Sequence, residues 1–520
     1  MNYNKNVVVF TIVFTIILLV YSLLSAIYPS CSFGLDNLSI VSDVVTYKKN
    51  ADSISAACIQ KKTDSVASQV LPSGPKDLNQ YLTAKNITAF YTDNTIAALP
   101  QLMHKLSELK QGKKRKIRIA WLGDSFIEGD QLTKTFRRQL QQYFGGNGVG
   151  FVPITSITDD GFRTSLSQKW TGDWKEENFK TKDPSGPLFL SGRMYTTANG
   201  TITIKDLTLG KDSTQKLEKS LICGPLAGPV NILVNGQPRQ YTATKKINRI
   251  VVDSSNSHSV SITIQNDKLH VYGVSMEPVS GVIVDNFSFR GISGEELGKL
   301  DTGFLSAVQS ENTYDLVVLE YGVNVLFRPD NTDFSWHHKN MMRILPKLRT
   351  SMSQAEFLII STSDRGFRYG DVAKSAVGID NLVKTQAQLA FDNNLAFFNM
   401  FASMGGAGTI VRWADSTPVL AGHDYVHPNP RGAEILGSMF YDCFMKDFEK
   451  VAGKQPTQQP AVSQIPAITT QSEQIKKQES IKGKQIIIKK KDATTIKKTI
   501  QVDKKKEIDA PPPPIDSGAN

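Results

Sequence analysis

Two short segments, far apart in the chain, carry residue types that together can break an ester. Gly123-Asp124-Ser125 follows the short buried-type strand Ile117-Arg118-Ile119-Ala120-Trp121-Leu122, and Gly422-His423-Asp424-Tyr425-Val426-His427-Pro428-Asn429 lies some three hundred residues on. A serine hydroxyl attacks an ester only with a base beside it and donors ready for the developing oxyanion. An Asp three residues before a His lets one short loop aim both side chains at one point. The carboxylate then holds the imidazole while the imidazole takes the serine proton. Ser125, Asp424 and His427 are the candidate triad, and His423 is the lesser competitor for the base. Each piece alone has a plain structural reading, as a loop with a helix cap or a polar helix entry. Their occurrence at the two ends of one domain favours chemistry.

Oxyanion donors are available between them. Glu320-Tyr321-Gly322-Val323-Asn324 ends a buried-type strand, so Asn324 can present its amide at a sheet edge. Asn286 to Gly294 reads as a loop in which Gly291 can offer a backbone N–H. An Asn at a strand end is ordinarily a turn former, and a loop Gly ordinarily permits a turn. The four blocks in order are what make the set informative.

The elements that must position these residues are legible as alternation. Leucines and isoleucines at helical spacing between Asp77 and Lys110 predict one or two helices. The strand over 117–122 leads to Ser125, and a helix is expected over Gln131 to Tyr143. Parallel strands are expected at 315–321, 355–360 and 395–399, helices at 336–353 and 372–392, and a last helix from Arg431 to Val451. This is the pattern of a three-layer parallel-sheet α/β domain. It is interrupted by short alternating segments at 200–204, 230–234, 249–252, 260–264 and 269–273, with Asn235-Gly236 as a turn, which predict an inserted β-sandwich. Trp170, Trp174 and Tyr195 in that module either stack on sugar rings or belong to its core.

With Gly-Asp-Ser, Gly291, Gly-x-Asn and Asp-x-x-His in this order, the chain resembles the SGNH (GDSL-type) hydrolases. The resemblance implies Ser125 as nucleophile, Asp424 and His427 as triad partners, and an oxyanion hole of the Ser125 N–H, Gly291 and Asn324. The insert, ending in Tyr272-Gly273-Val274-Ser275-Met276-Glu277, narrows it to the bacterial envelope carbohydrate and peptidoglycan O-acetylesterases and O-acetyltransferases. Two positions depart from that branch: Val325 stands where an acid is common, and Arg290 where a small or polar residue is. The implied activity is an esterase on O-acetyl groups of a polysaccharide. The alternatives are a polysaccharide O-acetyltransferase using the same residues, partnered by a membrane-bound O-acyltransferase, and a non-catalytic glycan-binding protein. No cofactor is implied, and no His, Cys or acid spacing suggests a metal.

Val7 to Tyr28 is apolar and long enough to cross a bilayer core of roughly 30 Å, with Lys5 before it and Asp36 and Asp43 after it. An uncleaved anchor is expected, against a signal peptide or a lipid-modified Cys31. All three place the catalytic part outside the cytoplasm, anchored at the inner membrane of a bacterial envelope. The expected organisation is a transmembrane signal anchor over 1–31, a spacer over 32–76 and a first SGNH part over 77–168. The β-sandwich, carbohydrate-binding-like, spans 169–278, the second SGNH part 279–451, and a disordered Lys/Pro-rich tail 452–520. The net charge of +11 is concentrated in that tail, which carries Lys and no Arg. A solvated tail, or one drawn to an anionic envelope surface, fits an exported protein better than nucleic-acid binding. Cys31, Cys58, Cys223 and Cys443 are scattered without a disulfide framework, and Cys443 reads as a buried thiol.

Overall fold

The computed structural model describes residues 82–453 apart from 91–94, 157–161 and 211–212, together with Val13 and Leu78. The chain divides into two units, Met1–Ser73 and Gly74–Asn520, and the second carries the sheets and the candidate triad. No helix among the described residues is long and apolar enough to cross a membrane. The expected anchor over 7–28, the spacer and the tail beyond Gly453 lie outside the described residues.

In chain order the elements begin with β1 (Thr88–Ala89), α1 (Pro100–Lys110), β2 (Lys116–Gly123) and α2 (Gln131–Phe144). A β-module follows: β3 (Gly150–Val152), β4 (Leu166–Gly172), β5 (Lys175–Asn178), β6 (Arg193–Asp206) and β7 (Leu217–Cys223), then β8 (Pro229–Val234), β9 (Gln237–Thr242), β10 (Asn248–Ser255) and β11 (Ser259–Pro278). The chain returns through β12 (Gly281–Ser288), α3 (Thr302–Glu311), β13 (Leu316–Glu320), α4 (Ser335–Ser351) and β14 (Glu356–Ile360). It closes with β15 (Gly366–Tyr369), β16 (Val372–Ser375), α5 (Ile379–Asp392), β17 (Ala396–Phe398), α6 (Met400–Met404), α7 (Thr409–Ala414) and α8 (Pro430–Ala452).

The main sheet has the order β1-β17-β14-β13-β2-β12. All neighbours are parallel except β1, which runs antiparallel to β17. Both faces are covered. Along β2, Ile117, Ile119 and Trp121 enter one core with Leu132 and Phe136 of α2 and Phe440 of α8. Ala120 and Leu122 enter the other, with Leu305 of α3, Leu345 of α4 and Leu382 of α5. A strand buried on both faces reads as a near-continuous apolar run, as this one does apart from Arg118.

Several expected elements are corrected. Pro100 opens α1, a position suited to a residue without an N–H, so Ile96 and Leu99 precede the helix. Asn286 to Ser288, expected in a loop, end β12, a parallel strand that pairs with β2 from Gly281 to Ser288. The segment 372–375, expected in a helix, forms β16 and pairs antiparallel with β15 around Gly370, whose φ is 65°. The runs 260–264 and 269–273 belong to the single strand β11, 20 residues long.

The nine module strands form one hydrogen-bonded sheet rather than two separate ones. β11 changes partners along its length, pairing β6 and β8 in its first half and β7 and β3 in its second. Register shifts between Ile264 and Val271 mark the change, and residues of both halves bury into one core, such as Ile262 and Val274. The module is fastened to the main sheet by Glu277 of β11. Its fully buried carboxylate meets Arg118 of β2, Arg249 of β10, Lys116 Nζ at 3.1 Å and Ser275 Oγ at 2.6 Å. Burial opposes ionisation of Glu277, but Arg249, Arg118 and Lys116 outweigh it and hold the carboxyl well below the usual range.

Candidate active site

Three adjacent strands deliver the candidate residues to one end of the main sheet. β2 lies between β12 and β13, so the segments leaving their carboxyl ends carry Ser125 in the middle, Gly291 on one side and Asn324 on the other. This is where ligands bind in open α/β sheets. Gly123 makes the sharp exit possible, since a Cβ there would stand 3.0 Å from the Glu320 carbonyl and closer still to the Ile127 side chain.

The fourth segment arrives from the loop before α8. Asn429 caps that helix, its Oδ1 accepting from the N–H groups of Arg431 and Gly432 at 3.0 and 3.1 Å. Phe440 of α8 packs edge-on against Trp121, which anchors the helix to the strand that carries Ser125. The loop closes on itself through the Gly422 N–H, which donates to the His427 carbonyl at 2.9 Å.

Ser125 Oγ lies 2.9 Å from His427 Nε2, and His427 Nδ1 lies 2.7 Å from Asp424 Oδ2. The second carboxylate oxygen of Asp424 accepts from the N–H groups of Val426 and His427 at 3.0 and 3.2 Å. Partial burial opposes its ionisation, but the His427 bond and those two N–H groups win and bring its pKa down to about 2. His427 therefore faces a fixed anion. His423 stands apart, exposed, with Asp415 at 3.8 Å.

Asn324 Nδ2 donates to Asp124 Oδ2 and to the Ile292 carbonyl, both at 2.9 Å. It thereby clamps together the segments that carry Ser125 and Gly291. Gly291 has φ 80°, with open space where a Cβ would be. Among the described residues no acceptor takes the N–H of Ser125 or of Gly291. Arg290 pairs with Glu128, three residues beyond Ser125, its Nε donating at 2.8 Å. Val325 is fully buried. The chemistry open to this arrangement is nucleophilic attack by Ser125 with His427 as base and backbone donors for an oxyanion.

No family model matches the sequence, and no curated protein matches it. The fold does match solved structures. One described as a peptidoglycan O-acetylesterase superposes with a TM-score of 0.57 at 22% identity, covering 67% of this chain and 96% of that one. The fold is SGNH hydrolase-like. An acetyl xylan esterase matches 31% of this chain and 80% of its own at TM-score 0.22 and 16% identity. A family two carbohydrate esterase from Cellvibrio japonicus matches 55% and 99% at TM-score 0.24 and 8% identity. Both likenesses are too loose to carry an argument.

Within this SGNH-like fold the structure brings Ser125, Asp424 and His427 together and places Asn324 and Gly291 on the flanking strands' exits. Sequence reasoning missed Asp124, which is buried and does two jobs. Its Oδ1 accepts the Phe126 N–H at 2.9 Å while Oδ2 holds Asn324. Burial pushes its pKa up to about 7, against the Phe126 N–H, His427, Asn324 and Arg365, which all favour the carboxylate. The signal was present in the motif itself, as the Asp between Gly123 and Ser125. Arg365 and the β15–β16 hairpin, which meets the loop at Tyr425, had no motif to mark them. Of the module's aromatics, Tyr195 is buried, Trp174 is half-buried against it and Trp170 is partly exposed. Cys223 and Cys443 are buried and unpaired, and burial pushes their thiols up to about 12 and about 11. Cys31 and Cys58 lie outside the described residues, as does any pairing between them.

Proposed function

We propose that this chain is an extracytoplasmic serine esterase that removes O-acetyl groups from an envelope or extracellular polysaccharide. One observation carries the reading: the hydrogen-bonded chain from Ser125 Oγ through His427 to Asp424, at 2.9 and 2.7 Å. His427 Nε2 takes the Ser125 proton as Oγ attacks the acetyl carbonyl, and Asp424 stabilises the imidazolium. The oxyanion is received by the free N–H groups of Ser125 and Gly291. Asn324 joins them when its amide exchanges the Ile292 carbonyl for the oxyanion. The imidazolium returns the proton to the departing sugar oxygen, leaving acetyl on Ser125. Water, deprotonated by His427, then releases acetate.

The fold shared with a structure described as a peptidoglycan O-acetylesterase supports the choice of acyl group and of a glycan. The β-module between β3 and β11 lies beside the catalytic sheet and suits a role in holding polymer near Ser125. Residues 7–28 would anchor the chain in the membrane with this site outside the cytoplasm.

The test is acetate release by the full-length chain from p-nitrophenyl acetate and from an O-acetylated glycan, with and without an unacetylated glycan as acceptor. The parent should release acetate, and S125A should lose activity by several orders of magnitude. Ser125-dependent acetylation of the acceptor in place of free acetate would instead establish a transferase, working with a membrane-bound O-acyltransferase as donor. A folded parent that matches S125A on both substrates would end the catalytic reading and leave glycan binding.

A further inference from the structure

Arg365 leaves the carboxyl end of β14, the strand next to β13. One Nη donates to the carbonyl of Val323, the residue just before Asn324. The following residue turns to the opposite side of the site, where the Gly366 N–H donates to the Tyr425 carbonyl at 2.7 Å. We infer that Arg365 is a positioning residue for the proposed reaction: it fastens the Asn324 segment to the Asp424–His427 loop and keeps at this end of the sheet a positive charge that no carboxylate among the described residues pairs with. This inference deepens the serine-esterase reading and rests on it for its effect on rate.

The mechanical half follows from the space available. A Cβ at position 366 would stand 2.9 Å from the Tyr425 Cβ and 3.4 Å from the Lys374 carbonyl, so β15 lies directly against the loop. Tyr425, between the two residues of the Asp-x-x-His pair, has φ 54°, a left-handed conformation that crowds a Cβ. Contacts from both its own loop and the hairpin hold it there. Its N–H donates to the Gly422 carbonyl at 3.1 Å, its carbonyl accepts from Gly366, and its ring lies under the Arg368 guanidinium at 5.8 Å. Without the bond from Gly366, the peptide that aims His427 at Ser125 loses its tie to the sheet.

The electrostatic half follows from how the guanidinium is held. It rests on the Phe367 ring at 4.6 Å, and among the described residues no carboxylate lies within ion-pair distance. Its charge is propped by an aromatic face instead of being neutralised. Its Nε is buried without a partner, a cost that an apolar residue of the same length would not carry. Burial lowers its pKa, while Asp124 from the end of β2 and Asp424 from the loop before α8 act the other way. His427 also faces Asp124, and Glu320 and Tyr321 of the β13 end lie within its field. The fixed cation favours both carboxylates in their ionised forms. Asp124 must stay ionised to keep a charge-assisted hold on Asn324, and Asp424 to stabilise the imidazolium.

The experiment compares full-length parent, R365Q, R365K and G366A, each shown to be folded by circular dichroism. With p-nitrophenyl acetate, R365Q should lose roughly 10²-fold in kcat with a much smaller change in KM. The acid limb of its kcat/KM profile should move up. R365K keeps the charge and should restore the limb while losing part of kcat, because an ammonium cannot both donate to the Val323 carbonyl and lie as a planar group on the Phe367 ring. G366A keeps the charge and should lower kcat with the limb unmoved. Carboxyl-carbon NMR titration of Asp124 needs no turnover and should show its midpoint raised in R365Q and restored in R365K. An unmoved Asp124 titration in R365Q, or an equal displacement in R365K, overturns the inference whatever the activity. A parent without Ser125-dependent turnover but with the Asp124 titration moved as expected would sink the esterase reading and leave the placement of charge standing.

Discussion

Asp124 and Asn324 meet at 2.9 Å across 200 residues of chain, the carboxylate of one accepting the amide of the other behind the nucleophile. The contact exists because β2 and β13 are neighbours in parallel register, with Gly123 opposite Glu320 at their carboxyl ends. It fixes which way the Asn324 amide points, since a carboxylate only accepts while an amide both donates and accepts.

In Asp124→Asn that polarity is lost, and the Asn324 NH₂ has to compete with a second NH₂ for orientation. A misaimed oxyanion donor costs roughly 10²-fold in kcat, and KM should change little because ground-state binding does not use it. Steady-state hydrolysis of p-nitrophenyl acetate reads both constants. An unchanged kcat would mean that Asn324 is held without Asp124.

Glu320 should be neutral at ordinary pH. It is buried at the end of β13, and burial pushes its pKa up to about 8, opposed by the Trp121 indole N–H at 2.7 Å and aided by the nearby Asp124. A carboxyl whose pKa is raised on folding contributes stability that is fully present below its ordinary pKa of 4.5 and is lost as pH rises through about 8. Glu320→Gln keeps an acceptor for Trp121 and cannot ionise. Its Tm should match the parent's near pH 4.5 and exceed it above pH 8. Parallel Tm curves across that window would show that Glu320 stays charged in the fold.

Local signals made much of this legible in the sequence, and long-range ones did not. Ser125 and the Asp424–His427 pair stand out because each motif is contiguous and abuts a recognisable strand or helix. β2 and β13 read correctly because strands buried on both faces are largely apolar, the interior of β2 being broken only by Arg118, which pairs with Glu277. β11 reads as two strands because Gln265 to Lys268 is polar, as a turn would be, while here it is the stretch where the strand changes partners. The hairpin was hidden because Val372, Ala373 and Ala376 continue into the apolar spacing of α5, and only the Gly370-Asp371 turn separates them. Asp124 stands inside the Gly-Asp-Ser motif, but its hold on Asn324, like the roles of Arg365 and Glu128, runs through partners contributed by other strands and loops, which no spacing within the chain displays.

Glu277 should be the residue that most strongly joins the module to the catalytic sheet. It is fully buried among Arg118, Arg249 and Lys116. Glu277→Gln leaves Arg118 and Arg249 without their counter-charge, while Lys116 keeps Glu218, and breaking a buried ion pair from one side costs about 3–5 kcal/mol. Because its folded pKa is depressed, its contribution is present above 4.5 and lost as pH falls below that value. Urea unfolding at neutral pH should therefore show the full loss, and the gap between parent and variant should narrow on acidification. A variant as stable as the parent at neutral pH would show that the cations are satisfied by solvent.

Asn429 separates the stability of α8 from the aim of His427, two residues before it. Its Oδ1 caps the helix, its Nδ2 donates to the Val419 carbonyl at 2.6 Å, and its N–H donates to the Leu420 carbonyl at 2.9 Å. Asn429→Ala removes both side-chain functions and should cost about 1 kcal/mol in stability from the cap alone. Asn429→Asp restores a good cap but cannot donate to Val419, so its stability should recover further than its kcat. If both recover together, Val419 is irrelevant to the loop, and the cap by itself sets the position of His427.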